Sequence, residues 1–148
     1  AAGKCRAGWS YRNVALTDES DLLAYSFTDL VAEKVRSVMQ QVVRNRSRRQ
    51  GIYDINLLLD AVDIDDQDRL HILNSLLEKS AGRLDPGFIN PETLDRQDIR
   101  ERSRQEYGLL ESEVAGPLPV FDAAYEAIAT FYRALPWDLV AGWQHADP

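Results

Sequence analysis

The stretch "IYDINLLLDAV", residues 52–62, decides the fold, because it fits two secondary structures. Ile52, Ile55, Leu58 and Val62 recur at helical spacing, whereas Tyr53, Ile55, Leu57 and Leu59 alternate as in a strand. A strand leaves its backbone donors and acceptors open until a neighbour pairs with it. No other stretch of the chain offers a convincing partner strand. A helix satisfies its own backbone, so the segment reads as helix and the chain as all-α.

Upstream, apolar residues recur at Leu23, Phe27, Val31, Val35, Val38 and Val42, in steps of three or four. "TDES" at 17–20 supplies a capping hydroxyl and first-turn acids that suit the helix dipole. These residues predict a long amphipathic helix over 18–49, closed by Gly51 as C-cap. Residues 1–16 show no period and read as an irregular arm with Trp9 and Tyr11.

Downstream, Leu70, Leu73, Leu76 and Leu77 form one stripe, which predicts a helix over 66–80 closed by Lys79 and Gly82. Asp85-Pro86-Gly87 is a turn. Asn90 followed by Pro91 predicts the start of a polar helix over 91–115, laced by Glu92 with Arg96 and Asp98 with Arg102. Gly116-Pro117 ends it. Phe121, Ala124, Tyr125, Ile128, Phe131 and Leu135 predict a last long helix over 119–135, broken by Pro136. The expected architecture is a single-domain, all-α bundle of about five helices over 1–148, with the irregular arm in front and a short segment, 136–148, behind. Its core is expected to include Phe27, Val31, Val38, Leu58, Leu73, Leu77, Phe121, Tyr125 and Ile128.

Aspartates crowd the junction between two of these helices: Asp60, Asp63, Asp65, Asp66 and Asp68. A calcium loop starting at Asp63 would need glycine at its sixth position and a bidentate glutamate at its twelfth. It has Asp68 and Asn74 there instead. The cluster therefore reads as a helix start, with Asp65 capping and Asp68 three residues on. The opposite charge gathers in "RNRSRR", residues 44–49. If 52–62 folds back as a helix, the acidic run lies about 16 Å from the turn. That exceeds a screening length of about 8 Å, so the two clusters are expected to interact weakly.

The catalytic inventory is thin. His71 and His145 form no metal-binding pair, and no nucleophile elbow, phosphate-binding glycine loop or dinucleotide fingerprint is present. Cys5, the one cysteine, has no histidine near it in sequence. No metal or cofactor is expected. With a formal charge of −7 the molecule repels nucleic acid and anionic membrane as a whole. No apolar run approaches the roughly 20 residues of a membrane span. The single cysteine favours a cytoplasmic setting, although a removed signal peptide would leave no trace.

By base rate, such a chain is expected to be a protein–protein interaction module without a catalytic site: an adaptor, an inhibitor or immunity-type partner, or an assembly subunit. The partner would be another protein or a second copy. The candidate contacts are Arg44, Arg46, Arg48 and Arg49, and the C-terminal residues Trp137, Leu139, Val140 and Trp143, since tryptophan is enriched at binding hot spots. The C-terminal segment is expected to dock in cis or to anchor a partner. The first alternative is a nucleic-acid-binding regulator using 44–49. The second is an enzyme whose carboxylates converge from several helices.

Overall fold

A computed structural model describes residues 17–45 and 50–140, with the side chains of 17–26 and of Pro86 outside the description. Among the described residues five α-helices carry the fold: α1 (Thr17–Val43), α2 (Gly51–Ala61), α3 (Asp66–Ser80), α4 (Gln97–Arg104) and α5 (Phe121–Arg133). Short 3-10 turns at Pro86–Phe88, Thr93–Asp95, Tyr107–Ser112 and Trp137–Leu139 connect and close them. No strand occurs among the described residues. The Thr17 hydroxyl, Leu23, the arm 1–16 and residues 46–49 fall on parts that are not described.

The long helix α1 is the hub. It packs against α2, α3 and α4, and α5 packs against α2. Phe27, Val31, Val35 and Val38 are buried along one stripe, and Ala32 and Met39 are buried beside it. Asp29 and Leu30 on the opposite side are exposed, so the helix is amphipathic and turns its apolar face inward. Polar ties fix its neighbours. Ser75 on α3 donates to Asp29 (2.7 Å), and Gln41 donates to Ser103 on α4 at 2.9 Å, in a fully buried contact. Buried polar groups that find each other cost little, whereas leaving one unmatched would cost about 1–3 kcal/mol.

Several boundaries differ from expectation, each for a physical reason. Helix α1 ends at Val43 because Asn45 turns the chain with φ 53°, a left-handed conformation that asparagine tolerates. Gly51 therefore opens α2 and is buried there. The expected helix over 91–115 is broken into the turn at Thr93–Asp95, α4 and the turn at Tyr107–Ser112. The backbone turns out of line at Glu106, with φ 65°. Asn90 still accepts from the Glu92 amide (2.8 Å), but in a turn ahead of the 3-10 turn at Thr93–Asp95 and not as the cap of a helix. The expected ion pairs change partners. Arg96 meets Asp98 at 2.8 Å, and Arg102 donates to Asn45 (2.8 Å).

Helices α3 and α5 form where the spacing predicts. Asp65 accepts from the Asp68 amide (2.8 Å) and Asp68 accepts from the Asp65 amide (3.2 Å), a reciprocal cap that starts α3. Seven of the nine expected core residues are buried. Leu58 and Leu77 are partly buried and pack against the core from outside, and Leu76 holds the interior position beside Leu77.

Arginines seal α4 onto α5. Arg96, Arg100 and Arg104 stand at intervals of four, and each guanidinium lies over a ring: Phe88 (4.5 Å), Tyr125 (4.9 Å) and Phe121 (4.8 Å). Arg100 and Arg104 also share Asp122, both at 3.0 Å. The two guanidinium groups, Arg100 first, hold that carboxyl below its usual range. Stacking and charge act together at one seam.

Candidate functional site

Where α2 ends, the chain passes through Val62 in extended conformation and restarts as α3 at the Asp65 cap. That bend opens a pocket of about 380 Å³ between the end of α2, the 62–64 link, α3 and α5. The volume lies in the range of small-ligand sites, about 300–1,000 Å³. Its apolar walls are Leu59, Val62, Ile64 and Phe131. Its polar groups are Asn56, Asp60, Asp63 and Arg69.

Each polar group is placed by an identifiable local cause. Asn56 and Asp60 are four apart on α2 and so share a face. Asp63 sits in the link, and Arg69 follows the capping box by one residue, with its amide bonded to the Asp65 carbonyl (3.0 Å). The Arg69 guanidinium lies 5.1 Å over the Phe131 ring of α5. Its Nη1 is cut off from solvent and meets no hydrogen-bond acceptor among the described residues. A guanidinium donor in that state is costly and calls for an acceptor. The pocket thus combines a stacked cation, two carboxylates and an amide with apolar wall from Leu59, Val62, Ile64 and Phe131.

A second polar feature joins α1 to α2. Lys34 and Asp54 meet at 2.9 Å, with side chains 35% and 30% exposed. Both residues lie outside the basic stretch 44–49 and the aspartate cluster 60–68. The expected weak interaction between those two clusters is not tested, because residues 46–49 lie outside the described residues. Arg36, two residues on, is buried against Glu33 and Gln40. The Arg36 guanidinium holds the Glu33 carboxyl below its usual value. No group of three or more histidine, cysteine, aspartate or glutamate side chains placed to hold a metal ion occurs among the described residues.

The sequence candidates are scattered. Arg44 is exposed just past the end of α1, while Arg46, Arg48, Arg49, Trp143, Cys5 and His145 lie outside the described residues. Trp137 and Val140 are buried at 5% and 7% exposure, so these two of the four C-terminal candidates pack in cis. The Trp137 ring stacks edge-on against Tyr132 (5.1 Å), and its N–H donates to the Tyr132 carbonyl (3.0 Å). Leu139, 67% exposed, faces solvent. Sequence reasoning passed over Asn56, Lys34 and Arg69. One signal was present for Arg69: a cation near a helix N-terminus works against the helix dipole. Asp60 and Asp63 were absorbed into the reading of a helix start, which accounts for Asp65 and Asp68 but not for them.

Comparison with known proteins yields a family match. The model of a family described as nucleotidyl transferase AbiEii toxin, type IV toxin–antitoxin system, matches residues 10–127. No curated protein and no solved structure matches. The family match overturns the expectation of an interaction module without a catalytic site of its own. Of the readings drawn from sequence, the enzyme with carboxylates from several helices stands nearest to it. No helix among the described residues is long and apolar enough to cross a membrane.

Proposed function

The chain belongs to the nucleotidyl transferase AbiEii toxin family, and from that premise we propose that it serves nucleotidyl transfer as the toxin of a type IV toxin–antitoxin pair. The observation that carries this reading is the extent of the match, residues 10–127 of 148. Its partner is then an antitoxin protein, and its place of action is the cytoplasm, where nucleoside triphosphates are available.

In such a transfer an acceptor oxygen attacks the α-phosphorus of a nucleoside triphosphate. The bond from that phosphorus to the bridging oxygen breaks, pyrophosphate leaves, and the acceptor's proton passes to base or water. The protein's share is positioning and charge stabilisation. Two places in this fold can contribute. Lys34 is an ammonium held in place by Asp54, its one partner among the described residues, and exposed enough to exchange that partner for a phosphate oxygen. The pocket at Arg69 offers a stacked guanidinium with an unmet donor.

The experiment is expression of the full-length protein in a bacterial host, alone and with its antitoxin. Growth arrest that is relieved by the antitoxin and lost in Lys34→Ala is expected. Unimpaired growth at full expression of the soluble protein would refute the reading.

A further inference from the structure

We propose that the pocket between α2, the 62–64 link and α5 receives a nucleobase, with Arg69 donating to a ring or carbonyl acceptor of the base and Asp60 or Asp63 accepting from its amino or imino N–H. The proposal rests on the nucleotidyl-transfer reading and says which part of the substrate the pocket holds.

Three observations lead there. Beside its polar groups the pocket has apolar wall from Leu59, Val62, Ile64 and the Phe131 ring, against which a flat heterocycle can lie. The polar groups are of both kinds: Asp60 and Asp63 only accept when ionised, Arg69 only donates, and Asn56 does either. Every nucleobase shows a donor beside an acceptor on at least one edge, and guanidinium to ring acceptor with carboxylate to amino group is the pairing that side chains use for base edges. The charge balance excludes the obvious rival. Two carboxylates outnumber one guanidinium, so a bare phosphate entering this pocket meets net repulsion, whereas a neutral base does not.

Arg69 is also prepared for the task. Its stacking at 5.1 Å over Phe131 fixes the plane of the guanidinium. Nη1 has no acceptor among the described residues, a deficit that a base carbonyl or ring nitrogen carried into the pocket would remove. Discrimination among bases follows from the same groups. A base whose acceptor is missing or misplaced leaves the buried Arg69 Nη1 unmatched, and an unmatched buried polar group is rejected far more strongly than a mismatched shape.

The test is a titration of the full-length protein with the four neutral nucleosides, followed by nuclear magnetic resonance or calorimetry. Ribose 5-phosphate and inorganic triphosphate serve as phosphate-only probes. The expected result is that at least one nucleoside binds and that the phosphate-only probes do not displace it. Arg69→Gln should weaken that binding at least tenfold, and Asp63→Asn should change the order of preference among the four. Asp63 is exposed, so its variant keeps the test decisive if Arg69→Gln destabilises the fold. Displacement by a nucleoside triphosphate assigns the base to the donor substrate, and displacement by a short RNA alone assigns it to the acceptor. Absence of nucleoside binding, equal binding to all three proteins, or displacement by inorganic triphosphate would overturn the proposal. Pyrophosphate release is scored separately. Release without nucleoside binding refutes the pocket alone, and nucleoside binding without release refutes the transfer reading on which it rests.

Discussion

Glu106 and Glu33 carry the sharpest predictions at the scale of single residues. Glu106 holds φ 65°, a conformation that costs an L-residue about 1–2 kcal/mol and a glycine almost nothing. Glu106→Gly should therefore stabilise the protein by about 1 kcal/mol in a denaturant titration, after the added freedom of the unfolded chain is subtracted. Glu33 neutralises the buried Arg36, and its carboxyl is lowered below the ordinary glutamate value by that hydrogen bond. A lowered carboxyl stabilises the fold above its unfolded-state pKa, about 4.3, and that contribution disappears as pH falls through the lower folded value. Thermal unfolding between pH 6 and pH 3 should show a loss that is smaller in Glu33→Gln. An unchanged acid slope in that variant would show that the pair contributes nothing. The aspartate run teaches a related lesson at this scale. Its five carboxylates look alike in sequence, yet two cap α3 and two line a pocket. The cap was legible because capping is local, at a spacing of three. The pocket was not, because Phe131 reaches it from the far end of the chain.

Elements were legible where their causes were local. The segment 52–62 became helix α2 because no strand could pair with it, and α3 and α5 followed their apolar spacing and the Asp65 cap. The helix expected over 91–115 failed because nothing in its charge pattern revealed a backbone turn at Glu106. Arg96, expected in an ion pair on that helix, also lies on Phe88, and Arg100 and Arg104 lie on Tyr125 and Phe121. Long-range stacking of that kind leaves no signature at a spacing of three or four. The closing turn at Trp137–Leu139 provides a prediction for this scale. Trp137 and Val140 are buried, so truncation after Leu135 should remove core and not merely surface. Trp137→Ala alone should cost roughly 3–5 kcal/mol and lower Tm by on the order of 10 °C. A melting temperature unchanged by truncation would mean that this segment adds nothing to the fold.

At the scale of the molecule, the all-helical architecture was legible and the activity was not. Composition, net charge and the absence of short motifs pointed to a binding module, and the family match to residues 10–127 points to nucleotidyl transfer instead. The physical reason is that a site assembled from separate helices has no sequence spacing of its own. Lys34 reaches Asp54 across two helices, and Arg69 reaches Phe131 across three. Lys34→Ala should lose most of the activity while costing at most about 1 kcal/mol of stability, since a half-exposed ion pair contributes little to folding. The central claim is tested most directly by incubating the full-length protein with each α-phosphorus-labelled nucleoside triphosphate, magnesium and total bacterial RNA, and measuring label transferred and pyrophosphate released. The account predicts stoichiometric release and transfer from at least one triphosphate, reduced at least tenfold in Lys34→Ala. Folded protein that releases no pyrophosphate from any of the four would contradict it.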